Sequence, residues 1–187
     1  TLLHKLFFKN LYYYNLCVIY RGNIMIKKIY LAGGCFWGIE EYYSRLEGVA
    51  NTIAGYANGT TKNPDYKEVC TGTTNFAETV MVEYYSDIIS LDDILDHFFG
   101  IINPTTLNRQ GNDVGTQYRS GIYYVDSADM PVIEAKIAEV QKRYDCPVVT
   151  EVKKLENFYE AEDYHQKYLK KNPNGYCHVD FSKLENR

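Results

Sequence analysis

Gly34-Cys35-Phe36-Trp37-Gly38 stands where the hydrophobic pattern of the chain changes from strand to helix. The mostly apolar run Ile26–Ala32 comes before it and is typical of a strand. Apolar side chains recur at helical spacing after it, at Ile39, Tyr42, Tyr43 and Leu46. Cys35 is therefore predicted to lie at a helix N-terminus, where free N–H groups and the helix dipole lower the pKa of a thiol. With Phe36 and Trp37 as an apolar wall, the stretch predicts a reactive thiol beside an aromatic pocket.

Each of these features also has an ordinary structural explanation. A lone cysteine is often a small buried hydrophobe, and a lone tryptophan such as Trp37 is usually a core residue. A glycine pair after a strand often only makes a turn. Spacing alone therefore leaves a catalytic and a structural role for Cys35 both open.

Further segments complete a longer pattern. They are Gly55-Tyr56-Ala57-Asn58-Gly59, Asn63–Cys70, Thr71–Glu78, Gly111–Ser120, Glu162–Gln166 and Asn172–Cys177. In this order, and with the segment around Cys35, they resemble the peptide methionine sulfoxide reductase A family. The resemblance extends from about Ile26 to His178. It implies a thiol-dependent reduction of methionine S-sulfoxide, free or in oxidised proteins, and hence a role in protein repair under oxidative stress.

The resemblance also implies a set of site residues. Cys35 corresponds to the nucleophile, and Glu78 to an acid that stays protonated if burial beside apolar groups raises its pKa. The remaining positions are Tyr66 and Tyr118 as donors to the sulfoxide oxygen, Asp113 as a polar residue that orders the site, and Phe36 and Trp37 as the wall around the S-methyl group.

The implied cycle uses a second thiol and no cofactor or metal. Attack by Cys35 releases methionine and leaves a cysteine sulfenic acid. Cys177, in a loop with Pro173 and Gly175, corresponds to the resolving cysteine that condenses with this group to a disulfide. Thioredoxin or another dithiol then reduces the disulfide by exchange.

The sequence departs from the family pattern in two places. Asn75-Phe76 replaces the Gly-His that usually precedes Ala77-Glu78, which predicts a changed pocket rim but retains the acid. No cysteine follows Cys177, so we expect a cycle with two cysteines.

Composition bounds the class of protein. A chain of 187 residues predicts one domain. A net charge of −4 provides no basic stripe, so we expect no nucleic-acid partner. The odd number of cysteines (Cys17, Cys35, Cys70, Cys146 and Cys177) favours a reducing compartment, and we expect a cytoplasmic monomer. Cys70 and Cys146 lie among apolar residues and are predicted to be inert core thiols.

Residues 1–24 differ from the rest of the chain. Their apolar stretch Leu11–Tyr20 is too short to cross a bilayer and contains Asn15, so we expect no membrane association. Met25 is the first methionine and opens the first predicted strand. We therefore expect 1–24 to be a poorly ordered extension upstream of the natural start, and 25–187 to be a single catalytic domain.

The remaining pattern predicts an α+β fold, a two-layer sandwich, because strands and helices alternate irregularly. The resemblance implies its ferredoxin-like form with an extended C-terminal coil. Ser90 with Asp93 predicts a capped helix start. The other predicted elements are strands at Val49–Tyr56, Thr79–Tyr84, Ser120–Val125 and Pro147–Val152, helices at Ala128–Tyr144 and Tyr159–Lys170, and a polar loop at Asn103–Thr116.

Two other classes of enzyme remain as alternatives. A cysteine hydrolase needs a histidine base, for which His97, His165 and His178 are available, although a packing role is the simpler interpretation of His165. Such an enzyme would have no use for Cys177. A peroxide-reducing thiol protein also forms a sulfenic acid but needs no tryptophan-lined methyl pocket.

Overall fold

The computed structural model describes residues 25–184, so the predicted extension 1–24 lies outside the described residues. The fold is mixed α/β. Its strands are β1 (Ile26–Gly33), β2 (Val49–Ala57), β3 (Ala77–Tyr85), β4 (Arg109–Gln110), β5 (Asp113–Val114), β6 (Ser120–Tyr124), β7 (Glu151–Lys154) and β8 (Phe158–Glu160). Its α-helices are α1 (Phe36–Ser44), α2 (Tyr66–Cys70), α3 (Leu91–Ile101), α4 (Met130–Gln141) and α5 (Tyr168–Lys171). Short 3₁₀ turns lie at Thr116–Tyr118, Ser127–Asp129 and Phe181–Leu184.

Six strands form one sheet in the order β7-β6-β1-β3-β2-β8, and β4 pairs with β5 in a separate hairpin. Neighbouring strands of the sheet are antiparallel except β6 and β7, which are parallel. In the central pairing of β2 with β3, Tyr56 stands opposite Glu78. This register places both side chains beside the end of β1, where α1 begins.

A tight glycine connection joins β1 to α1. Gly34 has a φ of 86°, which a residue with a β-carbon rarely adopts. A β-carbon there would also lie 2.6 Å from Cβ of Gln110. Only glycine therefore allows the chain to turn here and deliver Cys35 to the first turn of the helix.

Buried apolar side chains form two clusters. The larger one contains apolar side chains of α1, α3 and α4 and of the sheet, including Ile39, Phe98 and Ile133, each with no exposed surface. The smaller one gathers Tyr30, Met81 and neighbouring side chains of the sheet. The larger cluster includes Cys35 and so extends to the N-terminus of α1.

The local pattern predicted most of these elements. The first strand and helix are confirmed, as is the Ser90–Asp93 capping box at the start of α3. The predicted helix at Tyr159–Lys170 is wrong, because this segment holds the edge strand β8 and only the short α5. The amide of Ala161 donates to the carbonyl of Ala54 at 2.9 Å, so pairing with β2 replaces the helical bond. The loop Asn103–Thr116 contains the β4–β5 hairpin, and the strand predicted at Pro147–Val152 lies at Glu151–Lys154.

Candidate active site

Cys35 and Glu78 lie at the same helix N-terminus. Cys35 is the N-cap residue of α1, and only 7% of its surface is exposed. The amide of Trp37 donates to its sulfur. The amide of Phe36 donates to Oε2 of Glu78 at 3.1 Å. Two successive N–H groups of α1 therefore donate to Cys35 and to Glu78. These residues correspond to the nucleophile and the acid of the family that the sequence resembles.

The pKa of Cys35 is raised, not lowered as its helix position predicted. Burial is the largest cause, and the negative charge of Glu78 adds to it, whereas the Trp37 amide opposes the rise. The predicted lowering is therefore wrong, because desolvation of the thiolate outweighs the helix N-terminus. The thiol is protonated at neutral pH, and its proton has to leave when the sulfur reacts.

Glu78 is a buried carboxyl, with 1% of its surface exposed. Burial raises its pKa to about 8, opposed by the Phe36 amide and supported by the charge of Asp113. The rise that we predicted for this residue is confirmed. At neutral pH the carboxyl is mostly protonated, so it has a proton to donate.

Two tyrosine hydroxyls share the space around Glu78. Burial and the charge of Glu78 raise the pKa of both Tyr66 and Tyr118, which keeps both phenols protonated as hydrogen-bond donors. Tyr66 begins α2, and its amide donates to Oε1 of Glu162 at 2.9 Å. Tyr118 ends the 3₁₀ turn that follows Gly115. Both predicted tyrosines therefore lie with Glu78.

The aromatic wall is held by residues far away in the sequence. Nε1 of Trp37 donates to Nδ1 of His165 at 3.0 Å. The ring of Tyr168 stacks on Trp37, with centroids 3.7 Å apart. Phe36 packs against His165 with centroids 5.0 Å apart. Because Nδ1 accepts this bond and burial keeps His165 neutral by lowering its pKa, the ring proton is on Nε2.

His165 and Tyr168 hold the aromatic wall, and no sequence pattern indicated this. The sequence favours a packing role for His165 and indicates no role for Tyr168. Both lie in or just beyond the segment Glu162–Gln166 that resembles the family, and this position was the available signal.

Asp113 connects the β4–β5 hairpin to the C-terminal coil. The hydroxyl of Tyr176 donates to its Oδ2 at 3.1 Å, and Nδ1 of His178 lies 3.8 Å from the same oxygen. Nε2 of His178 lies 2.9 Å from the carbonyl oxygen of Gly33, at the end of β1. Asp113 thus contacts the C-terminal coil through the side chains of Tyr176 and His178, and its role in ordering the site stays a prediction. Tyr176 is a third residue whose contact no sequence pattern indicated, although it lies in the family-like segment Asn172–Cys177.

Cys177 lies between these two contacts on the C-terminal coil. Its sulfur accepts from the amide of Val179 at 3.3 Å. It is a free, half-buried thiol, close enough to Cys35 that its charge raises the pKa of Cys35. The structure thus brings the two predicted working thiols to one end of α1 as free thiols.

The Asn75-Phe76 departure lies directly before β3. Asn75 has a φ of 57°, the left-handed conformation that a glycine adopts easily and asparagine tolerates. Its carbonyl accepts from Arg119 at 3.0 Å. Phe76 is buried against Gly59 and Tyr159. The aromatic ring therefore packs in the interior, and a changed pocket rim stays a prediction.

Cys70 and Cys146 are both exposed, so the prediction that they are core thiols is wrong. Cys70 ends the short helix α2, beyond its one buried residue Val69. Its side chain is hydrogen-bonded to that of Tyr66, which places it at the edge of the site. The apolar sequence neighbours of Cys70 were not a sign that it is buried, because α2 buries only one side chain, that of Val69.

Residues 25–184 contain no group of three or more histidine, cysteine, aspartate or glutamate side chains that could hold a metal ion. None of the helices described for this part of the chain is long and apolar enough to span a membrane. The groups placed together are thus two thiols, one protonated carboxyl, two phenols and an aromatic wall. This set suits transfer of an oxygen atom to sulfur.

Comparison with known proteins agrees with this geometry. Residues 27–187 match the family described as peptide methionine sulfoxide reductase. Peptide methionine sulfoxide reductase MsrA of Clostridium perfringens (strain 13 / Type A) is 62% identical over 154 residues, which cover 82% of this chain and 98% of that protein.

Solved structures are similar as well. Reduced Mxr1 from Saccharomyces cerevisiae matches with a TM-score of 0.78 and 42% identity, covering 81% of this chain and 88% of that one. Mxr1 in complex with Trx2 matches with a TM-score of 0.55 and 29% identity over 76% of this chain and 84% of that one. The chain therefore belongs to the peptide methionine sulfoxide reductase MsrA family.

Proposed function

We propose that this protein reduces methionine S-sulfoxide, free or in oxidised proteins, to methionine at the expense of a thiol reductant. The observation that carries the proposal is the pair of α1 amides, one on the sulfur of Cys35 and one on the protonated carboxyl of Glu78. A nucleophile and an acid fixed by adjacent amides suit a substrate that must be attacked at sulfur and protonated at oxygen.

The first step moves one oxygen atom and two electrons. Cys35 attacks the sulfoxide sulfur while Glu78 donates its proton to the oxygen, with Tyr66 and Tyr118 as donors to the same atom. The transient bond between the two sulfur atoms and the sulfoxide S–O bond both break as a new S–O bond forms on Cys35. Methionine leaves reduced, and Cys35 is oxidised to a sulfenic acid. The proton lost by the Cys35 thiol restores Glu78, so the step balances without added acid.

The second step regenerates the thiol. Cys177 condenses with the sulfenic acid, which forms the Cys35–Cys177 disulfide and releases water. A dithiol then supplies two electrons and two protons by exchange. The structure titled as a complex of yeast Mxr1 with Trx2 supports thioredoxin as this partner. No other cofactor enters the proposed cycle.

The test is reduction of a blocked methionine sulfoxide with dithiothreitol, with each epimer supplied separately. We expect methionine from the S epimer only, and none from either epimer with Cys35→Ser. Turnover of hydrogen peroxide without turnover of the sulfoxide would favour the peroxide-reducing alternative. Ester or amide hydrolysis without any thiol would favour the hydrolase. Either result would overturn the proposal.

We propose a ferredoxin-like two-layer sandwich as the architecture of the domain. The chain order β1-α1-β2-β3-α3-β6 with the strand order β6-β1-β3-β2 supports it, because a split β-α-β motif has this connectivity. The region that matches the family, 27–187, supports 25–187 as the catalytic domain.

We also propose that the protein acts as a monomer in the cytoplasm and has neither a nucleic-acid nor a membrane partner. The free thiols in the described part of the chain support a reducing compartment; they are Cys35, Cys70, Cys146 and Cys177.

A further inference from the structure

Glu40 is a buried carboxyl that the proposed reaction does not use. It lies on α1, three residues after Trp37, and 1% of its surface is exposed. Its Oε2 accepts from the backbone amide of Lys167 at 2.7 Å, whereas Oε1 has no hydrogen-bond partner. Burial raises its pKa to about 7, opposed by the Lys167 amide. A buried carboxyl with one oxygen lacking a hydrogen-bond partner destabilises the fold. The presence of Glu40 at this position therefore has to be explained by something other than stability.

Its partner Lys167 has an unusual backbone. The φ of this residue is 52°, in the left-handed region that residues with a β-carbon rarely occupy. Lys167 is also the N-cap residue of α5, and no side chain caps that helix. The bond to Glu40 therefore restrains a strained turn of the chain.

This turn stands between the two residues that hold Trp37. His165, two residues earlier, accepts from Nε1 of Trp37, and Tyr168, one residue later, stacks on its face. Trp37 and Glu40 are three residues apart on α1 and so are neighbours on its surface. Helix α1 therefore contacts the turn at residues 165–168 in two places, through the ring of Trp37 and through the buried carboxyl of Glu40.

We propose that Glu40 is a positioning residue that fixes the segment 165–168 through the Lys167 amide and thereby sets the shape of the aromatic wall. It touches neither substrate nor the reacting atoms. The inference rests on the proposed function only in that Trp37 forms the wall around the S-methyl group. Its effect is on substrate binding, because Cys35 and Glu78 are held by other contacts.

Substitutions at Glu40 test this, measured by steady-state kinetics with dithiothreitol. Glu40→Leu removes the acceptor, and we expect KM for methionine sulfoxide to rise about tenfold while kcat changes less than twofold. Glu40→Gln keeps an acceptor oxygen without the charge and should restore KM. The matched control is Glu41→Leu on the same helix, since the side chain of Glu41 pairs with Arg45. It should keep both constants.

A spectroscopic measurement separates this inference from the proposed activity. Trp37 is the only tryptophan, so fluorescence excited at 295 nm reports on its surroundings. Glu40→Leu should shift the emission to longer wavelength by several nanometres as His165 and Tyr168 loosen, and Glu40→Gln should not. Wild-type emission and KM in Glu40→Leu would overturn the inference, as would a Glu40→Gln variant that behaves like Glu40→Leu.

Hydrogen exchange on the unmodified protein covers the case in which Glu40→Leu does not fold. The Lys167 amide should be strongly protected, and exchange at the rate of an exposed amide would overturn the inference. If the wild type fails to reduce methionine sulfoxide, the proposed function fails while the fluorescence and exchange results still decide the role of Glu40.

Discussion

The sulfur of Cys177 lies 2.9 Å from the point that a β-carbon on Gly38 would occupy. Gly38 is buried within the first turn of α1, and Val179 packs on it from the same side, with Cγ2 at 2.8 Å from that point. Glycine at this position therefore lets the C-terminal coil lie directly on the helix that carries Cys35. The close approach explains why Cys177 is near its proposed target.

Gly38→Ala should therefore slow the formation of the Cys35–Cys177 disulfide more than the reduction of the sulfoxide. The added methyl group has to displace the coil, although alanine itself favours a helix by up to about 1 kcal/mol over glycine. We expect a severalfold loss of steady-state rate with thioredoxin, while one methionine per enzyme is still released in a single turnover. An unchanged steady-state rate with thioredoxin would contradict this, because it would show that the coil accommodates the methyl group without moving Cys177 away from Cys35.

Cys177→Ser should separate the two halves of the cycle completely. Without the resolving thiol, a single turnover should still release one methionine, and multiple turnover with thioredoxin should be mostly lost. Dithiothreitol should restore part of it by reducing the sulfenic acid directly. Mass spectrometry of the substrate-treated wild type should find the Cys35–Cys177 bond, and a bond from Cys35 to Cys70 or Cys146 instead would contradict the assignment.

Cys35→Ser should abolish reduction with every reductant and leave the fold intact. Cys70→Ser and Cys146→Ser are the matched controls. Because both thiols are exposed, each should change the free energy of unfolding by no more than about 0.5 kcal/mol and keep activity. Residual activity of Cys35→Ser with dithiothreitol would exclude Cys35 as the nucleophile.

Glu78→Gln retains the hydrogen bond from Phe36 but has no carboxyl proton to give. We expect the single-turnover rate at neutral pH to fall by roughly two to four orders of magnitude, the usual range for a positioned acid. A near-normal rate would assign the proton to Tyr66, Tyr118 or solvent.

Glu78 should also make stability depend on pH. Its pKa is about 8 in the fold, above the ordinary value of 4.5, so the folded state binds more protons than the unfolded chain between these values. The stability that protonated Glu78 provides is complete below pH 4.5 and is lost as pH rises through 8. Denaturant unfolding should show that the free energy of unfolding of Glu78→Gln, relative to that of the wild type, rises by up to about 1.4 kcal/mol per pH unit from pH 5 to 8. A constant difference over this range would mean that Glu78 titrates normally.

Local sequence pattern predicted the elements that carry the nucleophile. The change from strand to helix around Cys35 and the Ser90 capping box depend on neighbouring residues, so periodicity and capping rules found them. The segment from Tyr159 onward depends instead on β2, since Gln166 bonds both the amide and the carbonyl of Ala54 with its side chain. A helical pattern there was overridden by contacts more than a hundred residues apart.

The same limit applies to the site. Motif resemblance named Cys35 and Glu78, and an elementary argument from burial gave the direction of the Glu78 pKa. The predicted direction of the Cys35 pKa shift was wrong, because the burial of this thiol depends on the packed fold and not on its position at the helix end. The bond from Trp37 to His165 spans 128 positions, and no local pattern indicates it.

Tyr176 and Cys177 are consecutive residues, and this connectivity orders the catalytic cycle. When Cys177 leaves Gly38 to bond with Cys35, we expect Tyr176 to give up its hydrogen bond to Asp113. We then expect the disulfide form to bind a second sulfoxide poorly until a reductant has acted, because Asp113 has lost this contact with the coil. We therefore expect sulfoxide and reductant to act in alternation, as ping-pong kinetics would show.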